Sequence, residues 1–221
     1  MNKKLKIMVM PGHYEASPGA VNTKYNLKEY DIVRSISEQV CARLKDNEYI
    51  KPMSMYNADL HKKKDFVDLF KPDVIVENHM NWSALSKSQG TMTIYEEGNF
   101  PSRHLAEMIE DSMKQILLMK SYGTFSHAEV KGWRKWKNFF LFDRIEYTAD
   151  MPFGKFIDVP TVLTEIGFLS NENLCKAIKA STDFIDRAAT SLAVTLNAFA
   201  KYRLSMDKTR EEWNNVTEKI H

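Results

Sequence analysis

Apolar and polar positions alternate along this chain in two rhythms. Short apolar runs at Leu5–Met10, Tyr49–Met55, Asp73–Glu77, Gly90–Tyr95 and Val159–Glu165 each read as a buried strand. The segments between them have helical spacing. Over Leu27–Asp46 the residues Ile32, Ile36, Val40 and Leu44 recur every fourth position and make an apolar stripe. His61–Phe70 sets Phe66, Leu69 and Phe70 opposite a polar face. Ser102–Met119 turns Leu105, Ile109, Met113, Ile116 and Leu117 inward, with Ser102 the expected N-cap after Pro101. Helices over Glu172–Ala180 and Thr182–Tyr202 place Ile178, Phe184, Ile185, Leu192, Leu196 and Phe199 at roughly helical intervals. Strands alternating with helices predict an α/β fold, a single domain with a mainly parallel twisted sheet flanked by helices on both faces. Residues 1–204 are expected to form this domain, C-terminal helices included. The charged stretch 205–221 is expected to be a tail, helical or frayed. Residues 120–158 are the least legible, with one strand-like run at Phe139–Phe142.

Four polar residues stand where these elements begin or end. His13 follows the first strand, and His79 follows Val74-Ile75-Val76. Glu165 closes the last strand, V-P-T-V-L-T-E. Glu29 opens the helix after the Pro/Gly/Ser-rich loop Pro11–Asn26, three positions before Ile32 and so beside the buried stripe. Singly, each has an ordinary reading: a structural histidine, or a first-turn glutamate favoured by the helix dipole. Jointly they point elsewhere. Open α/β sheets gather function past the carboxyl ends of their strands, and a parallel sheet brings these residues to one rim. Two imidazoles and a carboxylate suit Zn²⁺, and a second carboxylate can handle protons.

Composition narrows the classes. The chain has 221 residues, 43% hydrophobic and 27% charged, as expected of one soluble globular domain. A net charge of +2 offers no basic surface for nucleic acid. No apolar run approaches a membrane span. Cys41 and Cys175 form no C-x-x-C and read as buried free thiols. The N-terminal apolar run is interrupted by Lys6 and leads straight to His13, so it reads as a strand and not an export signal; synthesis in the cytoplasm is expected. His104 and His127 read as solvated or structural, and His61-Lys62-Lys63-Lys64 as a solvated helix start. Trp133 and Trp136, among cations, could cover the core or stack on sugar rings.

A set of short motifs, in order, adds to this reading. They are V-M-P-G-H at Val9–His13, P-G-A-V-N at Pro18–Asn22, L-K-E-Y-D at Leu27–Asp31 and P-D-V-I-V-E-N-H-M-N at Pro72–Asn81. G-T-M-T-I-Y at Gly90–Tyr95, S-R-H-L-A at Ser102–Ala106 and V-P-T-V-L-T-E-I-G-F-L-S-N at Val159–Asn171 follow. With these the chain resembles the zinc-dependent N-acetylmuramoyl-L-alanine amidases of the amidase-3 type, found in bacterial wall hydrolases and phage endolysins. The resemblance implies one Zn²⁺ per chain held by His13, Glu29 and His79, with Glu165 as the catalytic glutamate. Asn81 matches a position that helps shape the site.

The resemblance further implies peptidoglycan as the partner and the amide between N-acetylmuramic acid and L-alanine as the bond cut. A chain without an export signal would reach the wall after release, through a holin-type pore or by lysis. Departures from the family pattern fall at Tyr14 and Glu15 after P-G-H, and at Glu77 and Asn78 before His79. They bear on the rim of the site and on substrate preference, where Tyr14, Glu15, Asn78 and Asn81 are the candidate residues. Two other readings stay open: another zinc peptidase or carboxypeptidase, and a catalytically silent wall-binding protein on the same fold.

Overall fold

A computed structural model describes residues 3–131 and 159–217. The element order is β1 (Leu5–Pro11), β2 (Val21–Asn22), β3 (Leu27–Lys28), α1 (Glu29–Leu44), β4 (Ile50–Met53), α2 (Leu60–Phe70) and β5 (Val74–Asn81). Then come β6 (Thr91–Tyr95), α3 (Phe100–Leu117), β7 (Ser121–Ser126), α4 (His127–Lys131), β8 (Thr161–Phe168), α5 (Glu172–Ala180) and α6 (Asp183–Thr217). The strand expected at Phe139–Phe142 and the Trp133/Trp136 stretch lie outside the described residues.

Six strands form one sheet in the order β4-β1-β5-β8-β6-β7. The neighbours β4, β1, β5 and β8 are parallel, whereas β6 runs antiparallel to β8 and parallel to β7. The sheet is thus mainly parallel, as the alternation of strands and helices predicts, with a reversed pair at one edge. Strand order reverses about β1: the chain leaves it toward β4, then crosses back to β5 on its other side. A crevice opens at such a reversal, and ligands of α/β sheets bind there.

Each strand's period of two sorts its side chains between two layers. Leu5, Ile7 and Val9 of β1 join α1, α3 and α6 in the main core, with Ile36, Ile109, Leu192, Leu196 and Phe199. Met8 and Met10 face the other way and pack with Val67 of α2 and Ile75. Met92, Ile94 and Leu163 meet Val130 of α4 on that face. Helices therefore cover both faces.

Several expectations change in detail. The loop Pro11–Asn26 ends in a two-stranded antiparallel hairpin, β2 with β3. α2 turns Val67 inward and leaves Leu69 and Phe70 exposed. Its Lys63, expected in solvent, is buried beside Glu77. Asn99, not Ser102, caps α3, its side chain accepting from the amide of Ser102. Ser102 is buried, and its hydroxyl accepts from the amide of Thr161. β5 and β8 extend past the expected ends, so His79 lies within its strand and not after it, and Glu165 lies inside its strand and not at its close. The charged segment from Ser205 continues α6 as far as Thr217.

Candidate metal centre

The rim between β1 and β5 gathers the candidates. The end of β1 is fixed to β5 by a bond from the amide of Gly12 to the carbonyl of Asn78, 2.7 Å. The next residue, His13, has φ +62°, a left-handed conformation seldom taken by non-glycine residues and found at strained functional sites. Its turn back is closed by paired Tyr14 and Ser17. The loop then caps α1 with its own backbone: Glu29 N donates to Ala20 O and Tyr30 N to Pro18 O. The first helical amides are satisfied without a side-chain cap.

Glu29 is buried, and its two oxygens are separately employed. Oε2 accepts from the amide of Ala20 at 2.8 Å, and Oε1 from the amide of Met80 at 3.0 Å. Oε1 also lies 3.3 Å from His13 Nε2 and 3.0 Å from His79 Nδ1. The donor atoms of His13, Glu29 and His79 all fall within 4.8 Å of one another. The imidazole rings meet edge to face, centroids 5.0 Å apart. Burial raises the Glu29 carboxyl, but hydrogen bonds and charge from His13 and His79 outweigh it and hold the group well below the usual carboxylate range. For His79 burial opposes charge, while Glu29 and Glu77 hold the imidazolium up to about 10. Two imidazoles drawn to one fixed carboxylate form the donor set that a divalent cation would replace protons in.

Glu165 completes the cluster from β8. It pairs in register with His79 on one side and Met92 on the other. The β5–β8 register slips just past this point, Asn81 pairing with Phe168. Glu165 Oε2 is buried without a hydrogen-bond partner among the described residues. Burial pushes its carboxyl up to about 8, with the charge of Glu29 acting the same way and that of His79 against it. A buried carboxylate oxygen left unpaired calls for an explanation, and a reacting group or water at that point is one.

The remaining candidates divide. Asn81 is buried at the end of β5; its Oδ1 accepts from Trp82 N and its carbonyl from Leu169 N. Asn78 lies on the opposite face of the sheet, bonded to Ser37 Oγ and Thr164 Oγ1. Alternation along β5 sends it there, one residue from His79. Glu15 is exposed, its carboxylate 4.0 Å from Arg34, and its amide donates to Asn57. Tyr14 contributes to the turn through its backbone.

Two glycines belong to the site as well. A Cβ at Gly12 would lie 2.3 Å from His79 Cε1 and Nε2. One at Gly19, where φ is +75°, would lie 2.3 Å from Glu29 Oε2 and 2.5 Å from His13 Cδ2. Both were visible in the sequence as P-G-H and P-G-A, but only the folded loop shows which side chains they make room for.

An α/β sheet with a carboxylate–bis-imidazole centre at its strand-order reversal defines a class, that of α/β proteins with a metal-type centre on the sheet rim. Residues 7–197 match the sequence model of Amidase_3, N-acetylmuramoyl-L-alanine amidase, and the chain belongs to this family. Solved structures agree in fold. An N-acetylmuramoyl-L-alanine amidase from Clostridium difficile 630 superposes with a TM-score of 0.72 at 16% identity, covering 90% of this chain and 98% of that one. The catalytic domain of CwlV, from Bacillus (Paenibacillus) polymyxa, gives 0.69 at 22% identity over 89% and 99%. The catalytic domain of the CD27L endolysin gives 0.57 at 16% over 86% and 97%. No curated protein matches the sequence. Among the described residues no helix is long and apolar enough to cross a membrane.

Proposed function

We propose that this protein is a zinc-dependent hydrolase that cleaves the amide between N-acetylmuramic acid and L-alanine in bacterial peptidoglycan. The carrying observation is the convergence of His13, Glu29 and His79 beside Glu165, whose Oε2 is buried with no hydrogen-bond partner among the described residues. The donor set suits Zn²⁺: two imidazole nitrogens and one carboxylate oxygen, a set that leaves a further position open. Bound there, the ion would polarise the scissile carbonyl and lower the pKa of a water. His13, Glu29 and His79 hold and orient that centre, and the Ala20 and Met80 amides keep the Glu29 carboxylate in place. Glu165 takes the proton of the attacking water and delivers one to the leaving amine of L-alanine. Its pKa near neutrality suits a group that must do both, and a neighbouring cation would favour its ionised form.

The substrate assignment follows from family membership. We extend it to a lytic role, in a phage endolysin or a bacterial wall hydrolase, with peptidoglycan and neither nucleic acid nor a lipid surface as partner. The catalytic unit is taken to include α5 and α6. The test is digestion of purified sacculi followed by mass spectrometry. The expected products are stem peptides with a free L-alanine amino terminus beside intact glycan strands. New reducing sugar ends without new amino termini would end this reading.

A further inference from the structure

We propose that Glu77, anchored by Lys63, is a positioning residue for the metal centre, setting the ring of His79 so that Nδ1 faces the ion. This rests on the zinc reading above. Period two along β5 places residues 77 and 79 on the same face of the sheet. Glu77 Oε2 lies 3.7 Å from His79 Nε2, within ion-pair range. On the other side of the ring, Nδ1 is the nitrogen turned to Glu29 Oε1, 3.0 Å away. A ligating histidine gives a lone pair from one nitrogen and carries its proton on the other, and the group facing that N–H fixes the tautomer and the ring plane. Glu77 is the carboxylate paired with Nε2, so it favours Nε2–H and leaves Nδ1 to the metal.

Lys63 makes this acceptor permanent. Its ammonium donates to Glu77 Oε1 at 2.7 Å and to the carbonyl of Pro11 at 2.6 Å. Pro11 ends β1 two residues before His13, so one ammonium ties the end of β1 to β5, the strand that carries His79. Lys63 and Glu77 are each only 4% exposed. Burying an ion pair adds little stability over apolar residues of like volume. The surroundings show that apolar packing serves this layer well, since Met8, Met10, Val67 and Ile75 pack together there. Contact between α2 and the sheet does not itself require the pair; the orientation of His79 gives it a use.

The test is zinc affinity, measured by chelator competition with Zn²⁺ alone on the full chain, beside thermal melting. Three variants separate positioning from packing. Lys63→Met/Glu77→Leu replaces the pair with apolar groups, a change that folded proteins commonly tolerate. Lys63→Met/Glu77→Gln keeps a neutral acceptor. Glu77→Asp keeps the charge for Lys63 but draws the carboxylate back from His79. Loss of a group that orients a ligand typically weakens metal binding by about 10–100-fold. The expected order of affinity is wild type, then the Gln double variant, then the Leu double variant, with Glu77→Asp also weakened, irrespective of melting temperature. Zinc binding within about twofold of wild type in the folded variants, or a Gln variant no better than the Leu variant, would overturn the proposal alone. A wild-type protein that takes up no zinc would overturn it together with the zinc reading.

Discussion

His79 and Glu165 are register partners on the adjacent parallel strands β5 and β8, so their side chains stand side by side on one face of the sheet. The proposed metal ligand and the proposed proton carrier are thereby fixed by strand pairing and not by a loop. Groups on a rigid scaffold hold the geometry that catalysis needs. Glu165→Gln preserves shape and removes the proton carrier. It should lower wall cleavage by roughly 10²–10⁴-fold while leaving the fold and the zinc content in place. Release of soluble fragments from purified walls measures this, and a near wild-type rate would make Glu165 a bystander.

Metal removal is the second expectation. Dialysis against a chelator should abolish cleavage, and one equivalent of Zn²⁺ should restore it. Each of His13→Ala, Glu29→Ala and His79→Ala should weaken zinc binding severely, since each removes one of the three donors that converge there among the described residues. Elemental analysis of protein prepared without chelator checks the stoichiometry. Full activity in the zinc-free protein would refute it.

Gly12→Ala tests the loop. The added methyl carbon would meet the His79 ring at 2.3 Å, so the ring or the backbone beside it must shift. The substitution should displace His79, cutting zinc affinity by at least as much as loss of an orienting neighbour, about 10–100-fold. Small-to-large changes in packed interiors usually lower stability by about 1–3 kcal/mol, so the variant should remain folded. Unchanged zinc affinity would show that the ring has room the structure does not reveal.

Much of this site was legible in the sequence because its four residues sit at the seams between periodic segments. Strand and helix rhythms alone place His13, Glu29, His79 and Glu165 at those seams. What the rhythm missed has physical causes. β5 and β8 run past His79 and Glu165 because their ends pair with each other, a tertiary effect that periodicity does not carry. Asn78 looked like a rim residue until the pleat turned it to Ser37 and Thr164. Lys63 sits in a lysine run that reads as solvated, and only the opposing Glu77 explains its burial. β7, on the sheet edge, has a mostly half-buried pattern without clean alternation. Its partner β6 was plain because it is buried on both faces.

Glu110 gives a pH prediction away from the candidate metal centre. This α3 carboxylate is buried and accepts from the hydroxyls of Thr91, Thr93 and Ser121. Burial raises its pKa, against the three hydroxyl bonds. The protonated form therefore favours the fold. Its stabilising contribution is complete below the unfolded carboxylate pKa and is lost as pH rises through the higher folded value. Glu110→Gln is neutral throughout and removes this slope. The melting-temperature gain of the variant over wild type should thus widen as pH rises above the unfolded carboxylate pKa of about 4.3. Parallel curves for the two proteins would contradict it.

The last prediction concerns α6. This helix lies against α1 and α3 and supplies Phe184, Leu192, Leu196 and Phe199 to the main core. Arg187 reaches across to the carbonyl of Ile116, and Ser191 bonds Ser112, so the contact with α3 is polar as well as apolar. Burying one large apolar side chain is worth about 1.5–3 kcal/mol, against a net stability of about 5–15 kcal/mol for a whole domain. Four such residues are worth about 6–12 kcal/mol, a sum of the same size as that whole margin. Deleting residues 182–221 would also expose the faces of α1 and α3 that α6 covers, leaving an apolar patch prone to aggregation. The truncated chain should therefore fail to fold, giving no cooperative melt and no zinc binding. A truncated protein that melts cooperatively and still cuts wall fragments would show instead that α6 is a separable module, with the sheet and α1–α5 sufficient for the chemistry.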